Sequence, residues 1–251
     1  MSNDNTSKGY NPPKKYAGGL SSFINWAEGI NEKHSIHGNP PVYDNSEFLW
    51  VKEVEDEWLT IRSELEDVMK HRTELPNFHD IMPGVDAITT DNNWKTYFLA
   101  GYGIESKENC KRCPETARIL KKIPGMKTAF FSILSPNKHI PAHKGPFNGV
   151  LRYHLGLIVP QPKEKCRIRV DDQIHVWDEG QSIVFDDTYE HEVWNDTDGF
   201  RVVLFVDFVR PIKFPYNIIN KFMVFAAAYI PAMQEASQNQ KQWERKFYKK
   251  S

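Results

Sequence analysis

Short apolar segments alternate with clusters of turn-forming residues between positions 127 and 211. The apolar segments read AFFSIL, GVLRYHLGLIV, CRIRV, IHVW, SIVF and FRVVLFVDFV, and the clusters between them include SPNK, PQPKEK, VDDQ, DEGQ and NDTDG. Segments of this length that are rich in Val, Ile and Phe are typical of β-strands joined by tight turns. The pattern therefore predicts an antiparallel sandwich, jelly roll or barrel.

Helical patterns flank this β-rich segment. Four apolar residues between positions 45 and 71 recur at the spacing of one helix face: Trp58, Ile61, Leu65 and Val68. Pro114 suits the first position of another helix, which is expected to run to about Lys122. After Pro215 the pattern is helical again, apolar at first (MVFAAAYIPAM) and basic at the end.

These changes of pattern divide the chain into three parts. Residues 1–45 are polar and rich in Gly, Pro, Asn and Ser, which predicts a flexible N-terminal arm with one short helix near residues 20–29. Residues 46–215 are expected to form the β-rich domain with its N-terminal helices, with a core at about 127–211. Residues 216–251 are expected to form a helical C-terminal tail.

Composition excludes some classes of protein and favours one compartment. The 32 Lys and Arg residues nearly balance the 33 Asp and Glu residues, which does not fit a nucleic-acid-binding protein. Three cysteines cannot form a disulfide framework and fit a reducing compartment better. No apolar run approaches the roughly 20 residues that span a bilayer, and no secretory signal is visible. We therefore expect a cytoplasmic protein, and the oligomeric state stays open.

Several chemically versatile side chains fall within the predicted strands. Arg152 and His154 share one strand face, which is either solvated or turned inward toward an anion. His191 and Arg201 flank a hairpin turn, and the guanidinium group at the start of an apolar strand matches a carboxylate. With His143, these residues predict a metal held by two strand-borne histidines beside a carboxylate-binding arginine.

Iron oxygenases with two histidines and one carboxylate are the leading interpretation of this pattern. In those enzymes the carboxylate stands two residues after the first histidine, but here Gly145 occupies that position. Asp186 and Asp187 are the nearby acids that could replace it. We expect both to serve instead in a turn at the end of a strand.

Four segments together resemble the aspartyl/asparaginyl β-hydroxylase family, over about residues 94–211. They are HKGP, beginning at His143, followed by LRYHLGLIVP, FDDTYEHEVWN and FRVVLFVD. The resemblance implies an Fe(II)- and 2-oxoglutarate-dependent dioxygenase that uses O2, with a double-stranded β-helix (jelly-roll, cupin-like) core. Members of this family bind iron through only two histidines, with glycine in place of the usual carboxylate, so Gly145 fits the resemblance.

The resemblance also implies roles for individual residues. The iron ligands would be His143 and His191. The residues that bind the cosubstrate would be Ser132, Arg152, His154 and Arg201, with Arg201 pairing with the distal carboxylate of 2-oxoglutarate. Trp94 and Gly145 would line the active-site wall.

The substrate class is less sharply indicated than the reaction. The resemblance implies hydroxylation of an unactivated C–H bond with release of succinate and CO2, and FDDTYEHEVWN favours an aspartyl/asparaginyl-type peptide or amino-acid side chain. Lipid A acyl-chain hydroxylases are also similar, at residues 58–64, at residues 113–116, in LRYHLGL and at Arg210 and Pro211. A lipid A acyl chain is therefore an alternative substrate. A catalytically silent jelly-roll binding module is a further alternative, and the basic C-terminal tail could contact a membrane surface peripherally.

Overall fold

Two antiparallel β-sheets that pack against each other form the centre of the protein. The computed structural model describes residues 19–101 and 104–249, so residues 1–18 of the expected arm lie outside the described residues. The larger sheet has the strand order β1-β9-β6-β11-β4-β2-β3, and the smaller sheet has the order β5-β10-β7-β8. The predicted jelly-roll fold with flanking helices is confirmed.

Within the described residues, the strands are β1 (Val42–Tyr43), β2 (Trp94–Gly101), β3 (Ile104–Glu105), β4 (Met126–Leu134), β5 (Lys138–His143), β6 (Val150–Ile158), β7 (Cys166–Val170), β8 (Gln173–Val176), β9 (Ser182–Phe185), β10 (His191–Asn195) and β11 (Arg201–Val209). The helices are α1 (Gly19–His34), α2 (Leu49–Glu55), α3 (Trp58–Met69), α4 (Phe78–Ile81), α5 (Lys107–Arg112), α6 (Pro114–Leu120), α7 (Asn217–Ala227) and α8 (Pro231–Phe247). None of the helices in the described ranges is both long enough and apolar enough to cross a bilayer.

The central strands β6 and β11 present two different faces, because successive side chains in a strand point to opposite sides of the sheet. One face packs against α2, α3 and α6 and is apolar; from β6 and β11 it includes Leu151, Tyr153, Leu155, Val202, Leu204 and Val206. The other face lies between the two sheets. There Val203 and Phe205 pack against residues of the smaller sheet such as Ile168 and Val193.

The helices that cover the larger sheet follow the sequence pattern closely. Ile61, Leu65 and Val68 are buried on one side of α3, as their spacing predicts. Helix α6 begins at Pro114, and the backbone N–H of the next two residues donates to the Glu64 carboxylate of α3 at 2.8 Å. This contact joins the two helices and supplies an acceptor for amide groups that a helix N-terminus leaves unpaired.

The described part of the predicted N-terminal arm contains the helix expected near residues 20–29, in a longer form. Residues 19–34 form α1, and Val42–Tyr43 pairs with β9 at the edge of the larger sheet. Asn31 is fully buried and donates to the side chains of Asn148 and Asn220. These partners lie more than 100 residues away in sequence, so a local reading of polar composition could not indicate that this segment is held in place.

Candidate active site

His143 and His191 lie directly opposite each other on the paired strands β5 and β10. Their ring centroids are 4.1 Å apart. The Nδ1 atom of His143 lies 2.8 Å from the carbonyl oxygen of Pro141, and that of His191 lies 3.0 Å from the carbonyl oxygen of Tyr189. Because a carbonyl only accepts hydrogen bonds, each Nδ1 carries the proton and each Nε2 has a lone pair for a metal.

Both rings are held in the neutral form that a metal requires. Burial lowers the pKa of His143 to about 4, and the neighbouring Arg152 contributes in the same direction. Burial also brings the pKa of His191 well below its usual value, with His143 and Arg152 adding to the effect. Neutral imidazoles are the form in which histidine binds metals, so no proton has to be displaced at neutral pH.

The residues that the structure describes contain no cluster of three or more His, Cys, Asp or Glu side chains that could hold a metal ion. Gly145 follows His143 by two residues, and its backbone N–H donates to the carbonyl oxygen of Asp187 at 2.6 Å. A Cβ atom at position 145 would lie only 2.2 Å from Oδ2 of Asp187. Position 145 therefore cannot carry a carboxylate while Asp187 stays where it is.

Asp187 belongs to the site rather than only to a turn. Asp187 is 2% exposed, and its Oδ2 pairs with Arg152 Nη2 at 2.8 Å. Burial raises the pKa of Asp187 to about 6, although Arg152 opposes the rise. The turn role predicted for both acids is carried by Asp186, whose Oδ1 accepts from the backbone N–H and the hydroxyl of Thr188 at 3.0 Å and 2.6 Å.

Arg201 is a buried cation without a carboxylate beside it in the described structure. Its side chain is 2% exposed, and both Nε and Nη1 have no hydrogen-bond partner there. The guanidinium carbon lies 4.4 Å from the ring centroid of Trp177. Burial lowers the pKa of Arg201 to about 10. Because an unpaired buried charge is costly, this geometry is that of a binding site for an anion.

Other polar groups without partners surround Arg201. The ring nitrogens of His154 and Nε1 of Trp177 lack partners within the described residues, and the two rings are 6.0 Å apart. Ser132 lies opposite Val203, on the interior face of the sheet, and its Oγ accepts from Trp94 Nε1 at 3.0 Å. The structure thus brings Ser132, Trp94, His154 and Arg201 into one region between the sheets.

Arg152 differs from Arg201 in its partners. Its Nε donates to Asp207 Oδ1 at 3.0 Å, and its Nη2 pairs with Asp187. Its guanidinium carbon also lies 4.3 Å from the centroid of Phe205. Two carboxylates already neutralise Arg152, so its expected contact with the cosubstrate stays a prediction.

Sequence analysis missed Trp177 as a member of the site. It ends the segment IHVW, just after β8, and it is fully buried beneath Arg201. The segment indicated a strand, but only the packing of the smaller sheet on the larger one brings this indole to Arg201. Its large size and its place at the end of a strand were the available signals.

The Cys110–Cys113 pair has the spacing of a redox motif, but both thiols are free and burial raises the pKa of each to about 12. Reactive cysteines have a lowered pKa, because the thiolate is the nucleophile. The structure therefore gives these cysteines a packing role beside β2.

A jelly roll with two paired histidines and a buried arginine is the arrangement that the family resemblance predicted. A family model described as aspartyl/asparaginyl beta-hydroxylase matches residues 55–211, which is more than half of the chain. The chain belongs to this family, as its motifs predicted.

Individual relatives extend this similarity. An ornithine lipid ester-linked acyl 2-hydroxylase of Rhizobium tropici is 52% identical over 90% of this chain and 81% of its own length. The human aspartyl/asparaginyl beta-hydroxylase is 36% identical over 64% of this chain, which spans only 21% of the human protein. Among solved structures, a Pseudomonas putida prolyl-4-hydroxylase is 16% identical, with a TM-score of 0.42 over 64% of this chain and 98% of that one.

Proposed function

We propose that this protein is an Fe(II)- and 2-oxoglutarate-dependent dioxygenase that hydroxylates carbon 2 of an ester-linked acyl chain of an ornithine lipid. The observation that carries the substrate is the 52% identity to the Rhizobium tropici enzyme, which extends over 90% of this chain. That extent is greater than the family match, which ends at residue 211.

His143 and His191 would hold the iron through their Nε2 atoms, since both Nδ1 atoms are engaged with backbone carbonyls. The donor set of two neutral imidazoles suits Fe(II). Bound with 2-oxoglutarate and O2, the iron would supply oxidation of the C–H bond at carbon 2, with decarboxylation of the cosubstrate to succinate and CO2. The role of the chain is to keep both imidazoles neutral and oriented.

The anion site around Arg201 would bind the distal carboxylate of 2-oxoglutarate. The guanidinium group has two buried nitrogen atoms, Nε and Nη1, that lack a partner among the described residues, and a carboxylate could accept from it. The Ser132 hydroxyl has a hydrogen atom to donate, because Trp94 already donates to its oxygen. His154 and Trp177 add further donors that have no other use among the described residues.

Aromatic residues would keep water away from these groups. Phe130 and Phe205 stack at 4.3 Å between the sheets, and Phe205 also lies 4.9 Å from the ring of His154. Electrostatic interactions are stronger in a site from which water is excluded. The carboxylate contact at Arg201 therefore gains strength from the same apolar surroundings that make the unpaired cation costly.

A peptide or amino-acid side chain is the second candidate substrate, in keeping with the segment FDDTYEHEVWN. The similarity to the human aspartyl/asparaginyl beta-hydroxylase supports it, but that match covers less of this chain and has lower identity. The ornithine lipid is therefore placed first, whereas the motifs alone favoured a peptide or amino-acid side chain over a lipid A acyl chain.

The test is an assay of purified protein with Fe(II), 2-oxoglutarate and O2, using ornithine lipid and an aspartyl/asparaginyl peptide in parallel. The expected result is succinate formation with the lipid, together with the gain of one oxygen atom in its mass. Mild alkaline hydrolysis releases ester-linked chains and leaves amide-linked chains attached, so the oxygen should leave with the released fatty acid. Oxygen on the peptide alone would instead establish the second candidate.

A separate measurement distinguishes an enzyme from a silent binding module. Visible absorbance recorded without oxygen should show a charge-transfer band when Fe(II) and 2-oxoglutarate are both present. The same solution of His191→Ala should show no band. Absence of the band in the wild-type protein would favour the binding module or a different metal.

A further inference from the structure

Helix α7 turns its most apolar side away from the rest of the protein. Ile218, Phe222 and Phe225 follow helical spacing on this side and are 58–60% exposed, and the exposed residues Phe214 and Tyr229 flank the helix. These five residues are called here the apolar face of α7. A surface helix ordinarily presents its polar side to solvent, so the arrangement is inverted.

Buried hydrogen bonds on the opposite side fix this orientation. Asn220 is fully buried, its Nδ2 donates to the carbonyl oxygen of Gly149 at 2.9 Å, and its Oδ1 accepts from Asn31 at 3.2 Å. Val224 packs on the same inner side and is 2% exposed. Rotating α7 to hide its apolar face would leave these buried polar groups without partners, which is costly.

We propose that the apolar face of α7 docks on the surface of a lipid bilayer. Charge supports this partner, because residues 211–230 contain no Asp or Glu and two lysines, Lys213 and Lys221, both exposed. A helix with bulky apolar residues on one side and flanking lysines is typical of segments that lie in the membrane interface. The lysines would also be attracted to anionic lipid headgroups.

Helix α1 adds aromatic residues next to this surface. It packs against α7, to which Asn31 joins it. Phe23 and Trp26 of α1 are 42% and 51% exposed, with their rings stacked at 5.5 Å. Tryptophan is enriched where a protein meets the interface of a membrane, because its ring is apolar and its N–H is polar. Helix α1, which also carries Glu28 and Glu32, therefore adds an exposed aromatic pair rather than further positive charge.

The inner side of helix α7 is joined to the candidate active site through a short segment of chain. Residues 144–149 link His143 to Gly149, the residue to which Asn220 is bonded. Six residues span at most about 20 Å. Arg210 strengthens the link, because its Nε donates to the carbonyl oxygen of Asn148 and its Nη2 pairs with Asp186, next to Asp187.

This proximity deepens the proposed function and rests on it. Carbon 2 of an ester-linked acyl chain is next to the ester carbonyl, so it lies near the boundary between headgroups and acyl chains. An interfacial helix buries its apolar side by about 5–10 Å at that boundary. Docking through α7 would therefore hold the protein at the boundary where the carbon that is to be hydroxylated lies.

The test is co-sedimentation with vesicles of phosphatidylethanolamine and phosphatidylglycerol, and with vesicles of phosphatidylcholine alone. The wild-type protein should bind the anionic vesicles more tightly, and Phe222→Ser with Phe225→Ser should weaken that binding by more than about tenfold. The matched control is Leu59→Ser with Ile174→Ser, on α3 and β8, whose side chains are 64% and 62% exposed. The control variant should bind like the wild type.

Three outcomes would overturn the docking proposal. The first is that the wild-type protein does not bind vesicles, and the second is that both double variants lose vesicle binding equally. The third is that the wild-type protein is a dimer that dissociates in the Phe222 and Phe225 variant, while neither protein binds vesicles. The last would make the face a contact between two copies of this chain. Sedimentation velocity measures that state.

The docking proposal and the proposed reaction can be overturned independently of each other. Wild-type protein that binds vesicles through α7 and does not hydroxylate ornithine lipid would keep the docking and overturn the reaction. Wild-type protein that hydroxylates detergent-dispersed ornithine lipid and does not bind vesicles would do the reverse.

Discussion

The two faces of strands β6 and β11 carry the same backbone but very different chemistry. On the helix-facing side, even the one polar atom is satisfied, because Ser182 Oγ donates to the Tyr153 hydroxyl at 2.9 Å. On the side between the sheets, Arg201 and His154 keep polar atoms without partners among the described residues. A face that is complete in itself supports the fold, whereas a face with buried unpaired groups is built for a ligand.

The largest expected effect is the loss of activity when one histidine of the proposed iron site is replaced. His191→Ala should abolish lipid hydroxylation, since one of the two proposed iron ligands is lost. Iron content after dialysis should fall with the activity. His139→Ala is the matched control, because His139 is exposed and pairs with Glu192 on the outer side of the smaller sheet. If that variant lost activity equally, the site would be misplaced.

Truncation of a buried side chain on the helix-facing side should lower the stability of the protein and leave cosubstrate binding unchanged. Leu204 is fully buried against the helices, and Leu204→Ala should lower the free energy of unfolding by about 2–5 kcal/mol. The affinity for 2-oxoglutarate of the protein that stays folded should not change. Chemical denaturation measures the first quantity and titration of the charge-transfer band the second. Weaker binding of 2-oxoglutarate together with normal stability would contradict the division of roles between the two faces.

A substitution on the face between the sheets should have the opposite result, with higher stability and weaker cosubstrate binding. Arg201→Met removes a buried unpaired cation and keeps much of its volume, so the free protein should become more stable by about 1–4 kcal/mol. The same variant should no longer be stabilised by 2-oxoglutarate, a contact worth roughly 2–5 kcal/mol when desolvated. Thermal unfolding with and without cosubstrate measures both. A less stable free protein would mean that the guanidinium group is already satisfied.

The smallest expected effect concerns the hydroxyl beside Arg201. Ser132→Ala should weaken 2-oxoglutarate binding by about 0.5–1.5 kcal/mol, the usual range for one hydrogen bond. Trp94→Phe keeps the Ser132 hydroxyl and an aromatic ring at position 94, and removes the indole N–H that donates to that hydroxyl. This second variant should therefore have a smaller effect on affinity. Equal effects in a binding titration would show that the indole, and not the hydroxyl, is the important group.

Sequence patterns predicted the helix-facing side of the sheet better than the side between the sheets. The strands and the buried stripe of α3 follow from local periodicity, which depends only on neighbouring residues. The long helical pattern near residues 45–71 was expected as one segment, but the structure divides it into α2 and α3 at Asp56 and Glu57. Element boundaries depend on tertiary packing and are less visible in a sequence.

Single side chains indicated a site on the interior face, and the family resemblance assigned its residues to particular roles. The two histidines, Arg201 and Ser132 came from motifs, and the structure brings them together between the sheets. Trp177 carried no comparable motif, and Asp187, although it lies within FDDTYEHEVWN, was expected to serve in a turn, because the contacts of both residues are made across the fold. The same holds for the apolar face of α7, whose exposure is set by the buried bonds of Asn220 and not by its own pattern.

The close approach of Gly145 and Asp187 limits how this site can change by single substitutions. Placing aspartate at position 145 would restore the residue order of the common two-histidine, one-carboxylate enzymes. Its Cβ would meet the carboxylate of Asp187, which Arg152 holds in place. Position 187 would therefore have to change at the same time. An ancestor or a laboratory variant could move between the two ligand sets only through a double step, with either single mutant impaired.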